Sequence, residues 1–194
     1  MVEIVDTTAK NKFIRQEHPM SHLNGTYVLD PAHTTIGFVA RHAMVTKVRG
    51  HFSDFTSTIT VDESTGTVNA TIRTESITTG NDDRDNHVRG SDFFNVAEFP
   101  EMTFASTSVS VSGDKATVTG DLTIKGVTKQ VNLDVSIDGI AEDPFGNTRL
   151  GFEASTKINR TDFGVDFNAP LKTGGVLLSE EIKIEIEGSA IKQA

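Results

Sequence analysis

From Tyr27 onward, apolar and polar side chains alternate with a period of two, the spacing at which a β-strand turns one set of residues into a core and the next toward water. Ile36, Phe38 and Ala40 alternate with Gly37, Val39 and Arg41, and Val68, Ala70 and Ile72 with Asn69, Thr71 and Arg73. Val118, Gly120, Leu122 and Ile124 form a third set, and Val131, Leu133, Val135 and Ile137 a fourth. The cleanest is the last, where Ile182, Ile184 and Ile186 oppose Lys183, Glu185 and Glu187. The pattern predicts eight or nine strands, near residues 26–31, 34–42, 48–61, 67–75, 101–112, 115–125, 128–141, 147–158 and 180–191. Ser64-Thr65-Gly66, Ser112-Gly113-Asp114, Lys125-Gly126 and Phe145-Gly146-Asn147 each place a residue tolerant of positive φ between strands, so most neighbours are expected to form antiparallel hairpins.

Two intervals break the alternation. Residues 80–96 open on Asn81-Asp82-Asp83, which predicts a short helix capped at Asp82 and followed by an aromatic plug of Phe93 and Phe94. Residues 160–179 hold Pro170 and Gly174-Gly175 and read as a loop or mobile flap. Residues 1–22 read as an extension, an arm or flexible tail, and residues 23–194 as one β-domain.

A sheet of this many strands has two raw edges, and closing it into a single antiparallel, lipocalin-like barrel of about eight strands removes them. At that size the interior is either packed solid or roomy enough for one elongated ligand. Ala40, Gly50, Ala70, Gly120, Gly139, Ala154, Gly188 and Ala190 are small residues at inward positions, which suits an under-filled interior; the glycines equally suit bulges and close backbone approach. Phe38, Phe52, Phe104 and Phe152 fall in the same inward sets and could wall a narrow apolar channel. Periodicity alone does not choose between a channel and a solid core.

Composition narrows the function. The chain of 194 residues carries 27 Asp and Glu against 18 Lys and Arg, a formal charge of -9, so its average field repels nucleic acid and anionic lipid surfaces. It has no Cys, which removes disulfides, thiolate nucleophiles and cysteine-ligated metals. The first 25 residues lack the apolar run of a secretory leader, and no segment approaches the roughly 20 apolar residues of a membrane-spanning helix, so a soluble, cytoplasmic protein without stable membrane insertion is expected.

Four ordered blocks resemble the YceI-like family: YVLDPAHTTIGFVARH at 27–42, DRDNHVRGSDFFNVAEFPEMTF at 83–104, GDLTIKGVTKQV at 120–131 and FGNTRLGFEASTKINRTDFGV at 145–165. The resemblance implies a lipocalin-like barrel that binds a polyisoprenoid chain, of quinone or polyprenyl-phosphate type, in an elongated apolar cavity. Absence of a leader and presence of the N-terminal arm set the chain apart from many relatives and put a periplasmic role in doubt. Homodimerisation is compatible with both family and arm.

Among polar residues, His42 shares the face of Ile36 and Phe38 and is the better candidate for meeting a ligand, whereas His33 follows Asp30-Pro31 and reads first as a turn residue. Arg160, Asp162 and Phe163 suggest either a cationic grip on a phosphate or carbonyl, or an Arg–Asp pair that fixes the following loop. Asp82, Asp85 and His87 offer oxygen and nitrogen ligands at a spacing that matches no established metal motif; a helix cap and a surface network with Arg84 explain them more simply. Phe93, Phe94, Phe99 and Phe163 read as core closure before ligand stacking. No nucleophile–base pair, metal triad or phosphate loop stands out, so no catalytic residue, metal or cofactor is assigned.

The expected ligand-binding residues are Ile36, Phe38, Ala40, His42, Phe52, Ile72, Phe94, Phe104, Leu122, Leu133, Phe152, Arg160, Phe163 and Ile184. The leading expectation is a carrier that stores, transports or protects a long isoprenoid lipid. Its rivals are a protein for another amphiphile, such as a fatty acid or fatty amide, and an enzyme on a small hydrophobic substrate with His42, His33 or Asp85 as base.

Overall fold

The computed structural model describes residues 21–194 apart from residue 64, so most of the expected arm, and the Ser64 of one expected turn, lie outside the described residues. The strands are β1 (Gly25–Leu29), β2 (Thr35–His42), β3 (Thr46–Phe52), β4 (Phe55–Asp62), β5 (Thr65–Arg73), β6 (Ile77–Thr78), β7 (Glu101–Ser112), β8 (Lys115–Ile124), β9 (Val127–Glu142), β10 (Thr148–Asn159) and β11 (Glu181–Lys192). A single α-helix, α1 (Asp82–Arg89), lies between β6 and β7.

These strands make the eight staves of a closed antiparallel barrel, because three pairs of consecutive strands are collinear. β1 and β2 both lie along β11, with Leu29 opposite Ala190 and Thr35 opposite Glu187. On their other side β4 pairs with β1 and β3 with β2. β5 then pairs with β4, and β6 with β3. From β5 the sheet runs through β7, β8, β9 and β10 to β11, and the β1–β11 pairing closes the ring.

The single strand expected over 48–61 is thus two, broken at Ser53-Asp54. The break is tertiary in origin: the facing stave also jogs, through a 3-10 turn over Pro31–His33 that Asp30 caps by accepting from the Ala32 amide at 3.0 Å. Another 3-10 turn, Thr74–Ser76, offsets β6 from β5. There the Thr74 hydroxyl donates to the Phe99 carbonyl at 2.7 Å, fastening the segment before β7 across the barrel end.

The helix begins one residue earlier in its capping than expected. Asn81, not Asp82, is the cap, its side chain accepting from the Arg84 amide at 2.9 Å. Asp82, Asp83 and Asp85 then sit in the first turn and His87 and Arg89 in the last, each sign where the helix dipole favours it. The β4–β5 hairpin also departs from expectation: Asp62 faces Thr65, so Gly66 lies inside β5 against Val109, and Glu63 carries the positive φ of 30°. Lys125 and Gly126, at φ 51° and 75°, form the two-residue left-handed turn that the sequence predicts between β8 and β9.

The small inward residues divide. Ala40, Ala70 and Ala154 face open interior, whereas a side chain at Gly50 would run into the Phe38 ring and one at Gly120 into the Phe104 ring. Those two glycines are therefore seats for aromatic rings rather than free space. Gly188 likewise accommodates Thr34, and Gly139, at φ 132°, adjoins Asp138, the extra residue of a bulge where β9 shifts register against β10.

Candidate functional site

The inward sets of all eight staves surround a cavity of about 470 Å³, within the usual range of small-molecule pockets. β10 alone contributes Leu150, Phe152, Ala154, Thr156 and Ile158 to its wall, with Arg160 just past the strand. Ten residue steps at the rise of a strand make the lined path roughly 33 Å, or about 25 Å along the axis of a tilted barrel. The interior is long, narrow and overwhelmingly apolar.

All fourteen residues singled out from the sequence stand on this wall: Ile36, Phe38, Ala40 and His42 on β2, Phe52, Ile72, Phe104, Leu122, Leu133, Phe152 and Ile184 around the ring, and Phe94, Arg160 and Phe163 at one end. Alternation within strands brings most of them together, because inward residues of a closed sheet have nowhere else to point. Phe38 and Phe52 pack at 5.9 Å between ring centroids, and Phe52 meets Phe94 edge-on at 5.8 Å, so Phe94 of the expected plug narrows that end by packing against the barrel wall.

Polar side chains gather at the same end. Thr79, Arg84 and His87 line the cavity beside His42 and Arg160, while among the described residues the half away from α1 offers the hydroxyls of Ser57, Thr60 and Thr67. Arg84 and His87 are exposed and hydrogen-bonded at the surface as expected, Arg84 to Thr79 and His87 to Asp92, and with Val88 on the same helical face they also border the cavity mouth. Their i, i+3, i+4 spacing was the available signal. Phe167 and Leu178, also on the wall, lie in irregular backbone and leave no periodic trace.

Helix α1 is held over this mouth by its own polar chemistry. Asp85 is buried and accepts from the amide of Thr79 at 2.8 Å as well as from its hydroxyl, so it is an anchor of the helix and not part of a surface network. Burial pushes the Asp85 carboxyl up, but the Thr79 and Thr78 hydrogen bonds outweigh it and the pKa falls below the ordinary value. Arg84 donates to the Thr79 hydroxyl and carbonyl, and Arg89 to the Ile77 and Glu75 carbonyls. His87 pairs with Asp92 at 2.9 Å and packs edge-on against Phe93 and Phe167, which couples the helix to the 160–179 segment.

That segment is tied down along its length. Arg160 is buried, and its guanidinium donates to the carbonyls of Ser179 at 2.8 Å, Val165 at 2.6 Å and Leu178 at 3.5 Å; the expected Arg160–Asp162 pair does not form. Burial lowers the Arg160 pKa from its ordinary value, against the pull of Glu180 and Asp166. With three donors committed to backbone, Arg160 organises the mouth more than it offers itself to a ligand. Asn168 adds bonds to the Leu178 amide and carbonyl, and Leu178 bridges to His42.

His33 is not on the wall; it is exposed and pairs with Asp30 at 2.7 Å in its turn. Among the described residues no group of three His, Asp or Glu side chains could hold a metal ion, and no helix is long and apolar enough to cross a membrane.

The same architecture recurs in solved structures. A Campylobacter jejuni YCEI protein superposes with a TM-score of 0.69 at 31% identity over 79% of this chain and 90% of its own. A polyisoprenoid binding domain from Saccharophagus degradans superposes at 0.67 with 14% identity, over 88% of this chain and 99% of its own, a likeness of fold. Protein YceI of Salmonella newport is 42% identical over 159 residues, 80% of this chain and 81% of the relative. The YceI-like domain family matches residues 27–190, which run from within β1 to within β11 and take in all the staves that enclose the cavity, and the chain belongs to that family.

Proposed function

We propose that the barrel is a carrier that encloses the tail of a long isoprenoid lipid, of quinone or polyprenyl-phosphate type, with the head group at the α1 end. The observation that carries this reading is the asymmetry of the cavity: a long apolar bore with His42, Thr79, Arg84 and His87 concentrated at one mouth. The bore suits a hydrocarbon tail. Each CH₂ removed from water contributes about 0.8 kcal/mol, so a few isoprene units outweigh any single head-group bond. The imidazoles and the guanidinium at the mouth supply donors for a phosphate or a quinone carbonyl, and they fix orientation rather than most of the affinity. The fold shared with a polyisoprenoid binding domain supports the same ligand class.

Binding fits this site better than catalysis. Of the three residues considered as a base, His33 is away from the cavity and Asp85 is engaged by Thr79, which leaves His42 alone on the wall.

The test is native mass spectrometry and organic extraction of protein purified from its own host. A copurifying isoprenoid is expected. Protein that is consistently empty and also rejects added quinones and polyprenyl phosphates overturns the reading.

A further inference from the structure

The hairpin joining β2 to β3 combines three unfavourable features at the mouth of the cavity. The Val45 amide donates to the His42 carbonyl at 3.2 Å, closing a turn whose central residues, Ala43 and Met44, sit at φ 49° and 63°. A turn of this hand favours Asn and Gly, and the chain uses Lys125-Gly126 where it makes another. At the tip, Met44 is 50% and Val45 77% exposed. Just below it Arg41 and Lys47 face each other directly across the two strands, a like-charge pairing that weakens a hairpin. Strain, exposed apolar surface and repulsion together are a pattern that function, not folding, explains.

The charge around the tip runs against that of the chain. Of the 27 Asp and Glu residues, none lies in 31–53 or in 167–179, the two segments that meet where Ala43 donates to Leu177 and His42 bridges to Leu178. Arg41, Lys47 and Arg49 project from the outer face of the hairpin, Lys183 follows on β11, and Lys172 with the exposed Val176 lies on the adjoining segment. Glu185 sits within this group, shared by Arg49 and Lys183.

We propose that this rim docks on an anionic lipid surface, with Met44 and Val45 inserted among the acyl chains and Arg41, Lys47 and Lys172 at the phosphates, so that the α1 mouth opens onto the bilayer from which cargo is drawn. Exposed apolar residues flanked by cations are the combination that holds proteins at such an interface. The net charge of -9 keeps the rest of the surface off the membrane and orients the contact. The proposal rests on the lipid-carrier reading for its purpose, but not for its test.

The full chain is floated with vesicles of phosphatidylcholine alone and of phosphatidylcholine with an equal part of phosphatidylglycerol. Binding is expected only to the latter and to fade with added salt. Arg41→Gln with Lys47→Gln should weaken it roughly 25-fold, at about fivefold per cation. Met44→Asn with Val45→Ser should abolish insertion while leaving the melting temperature unchanged or raised, because Asn tolerates left-handed backbone. Phe145→Ser, which removes the exposed ring beside Glu142 and Asp143 at the opposite end, should change nothing. Wild type that ignores anionic vesicles, or loses them equally through Phe145→Ser, overturns the docking site. Uptake of isoprenoid from detergent reports the carrier reading separately, since the rim variants should retain it.

Discussion

Arg149 on β10 reaches across the barrel seam to Asp30, its Nη1 lying 2.6 Å from the carboxylate, while its Nε meets Asp143 at 2.7 Å. One guanidinium thus joins the jog between β1 and β2 to the β9–β10 hairpin, at the end of the barrel away from α1. Asp30 also accepts from His33 and from the Ala32 amide, so a single carboxylate serves the seam and the turn at once.

This arrangement predicts acid sensitivity at the seam. Arg149, and after it His33, hold the Asp30 pKa at about 2 against an ordinary 3.8. Asn147, then Arg149, hold Asp143 lower still. Both folded-state values are depressed, so both groups stabilise the fold fully above the ordinary carboxylate pKa, and that contribution is lost as pH falls from about 4 toward 2. Replacing Arg149 with Met should raise the pH at which the barrel unfolds in acid. Tyr27, the sole tyrosine and fully buried on β1, provides the fluorescence readout. An unchanged acid transition would dismiss the seam as the weak point.

The seating of Phe104 over Gly120 predicts a large response to one methyl group. A Cβ at residue 120 would overlap the ring and crowd the Ala105 carbonyl, so Gly120→Ala should cost about 1–3 kcal/mol, the range for overpacked cores. Phe104→Leu placed on top should restore part of it. Urea denaturation of both variants measures the coupling; independent, additive effects would show that the ring has another place to go.

Filling the bore should separate stability from binding. Ala154 and Ala70 face the cavity, and in a solid core their replacement by Leu would be destabilising. Here each larger side chain gains apolar contact in open space, so Ala154→Leu and Ala70→Leu should melt at or above the wild-type temperature while taking up less isoprenoid. Scanning calorimetry and a lipid-uptake assay give the two readings. A sharp loss of stability would mean that the interior is already full.

Much of the wall was legible because a strand enforces a period of two whatever its neighbours do. Ile36, Phe38 and Ala40, or Ile182, Ile184 and Ile186, could be assigned to one face without knowing the fold, and closure of the sheet then sends every such face inward. The helical face of Arg84, His87 and Val88 was equally periodic, but its direction depends on Asp85 bonding to Thr79, a contact that alternation does not encode.

What the chain determined by itself was local: strand positions, the Lys125-Gly126 turn, the helix start near Asn81, and the inward set of each stave. The tertiary structure decided where β3 parts from β4, that Gly50 and Gly120 seat aromatic rings instead of leaving room, that Arg160 spends its donors on backbone carbonyls, and that the polar groups converge at one mouth. The physical reason is the range of the forces. Alternation and turn chemistry act over a few residues, whereas void, seam and mouth exist only once staves distant in sequence are held a few ångströms apart.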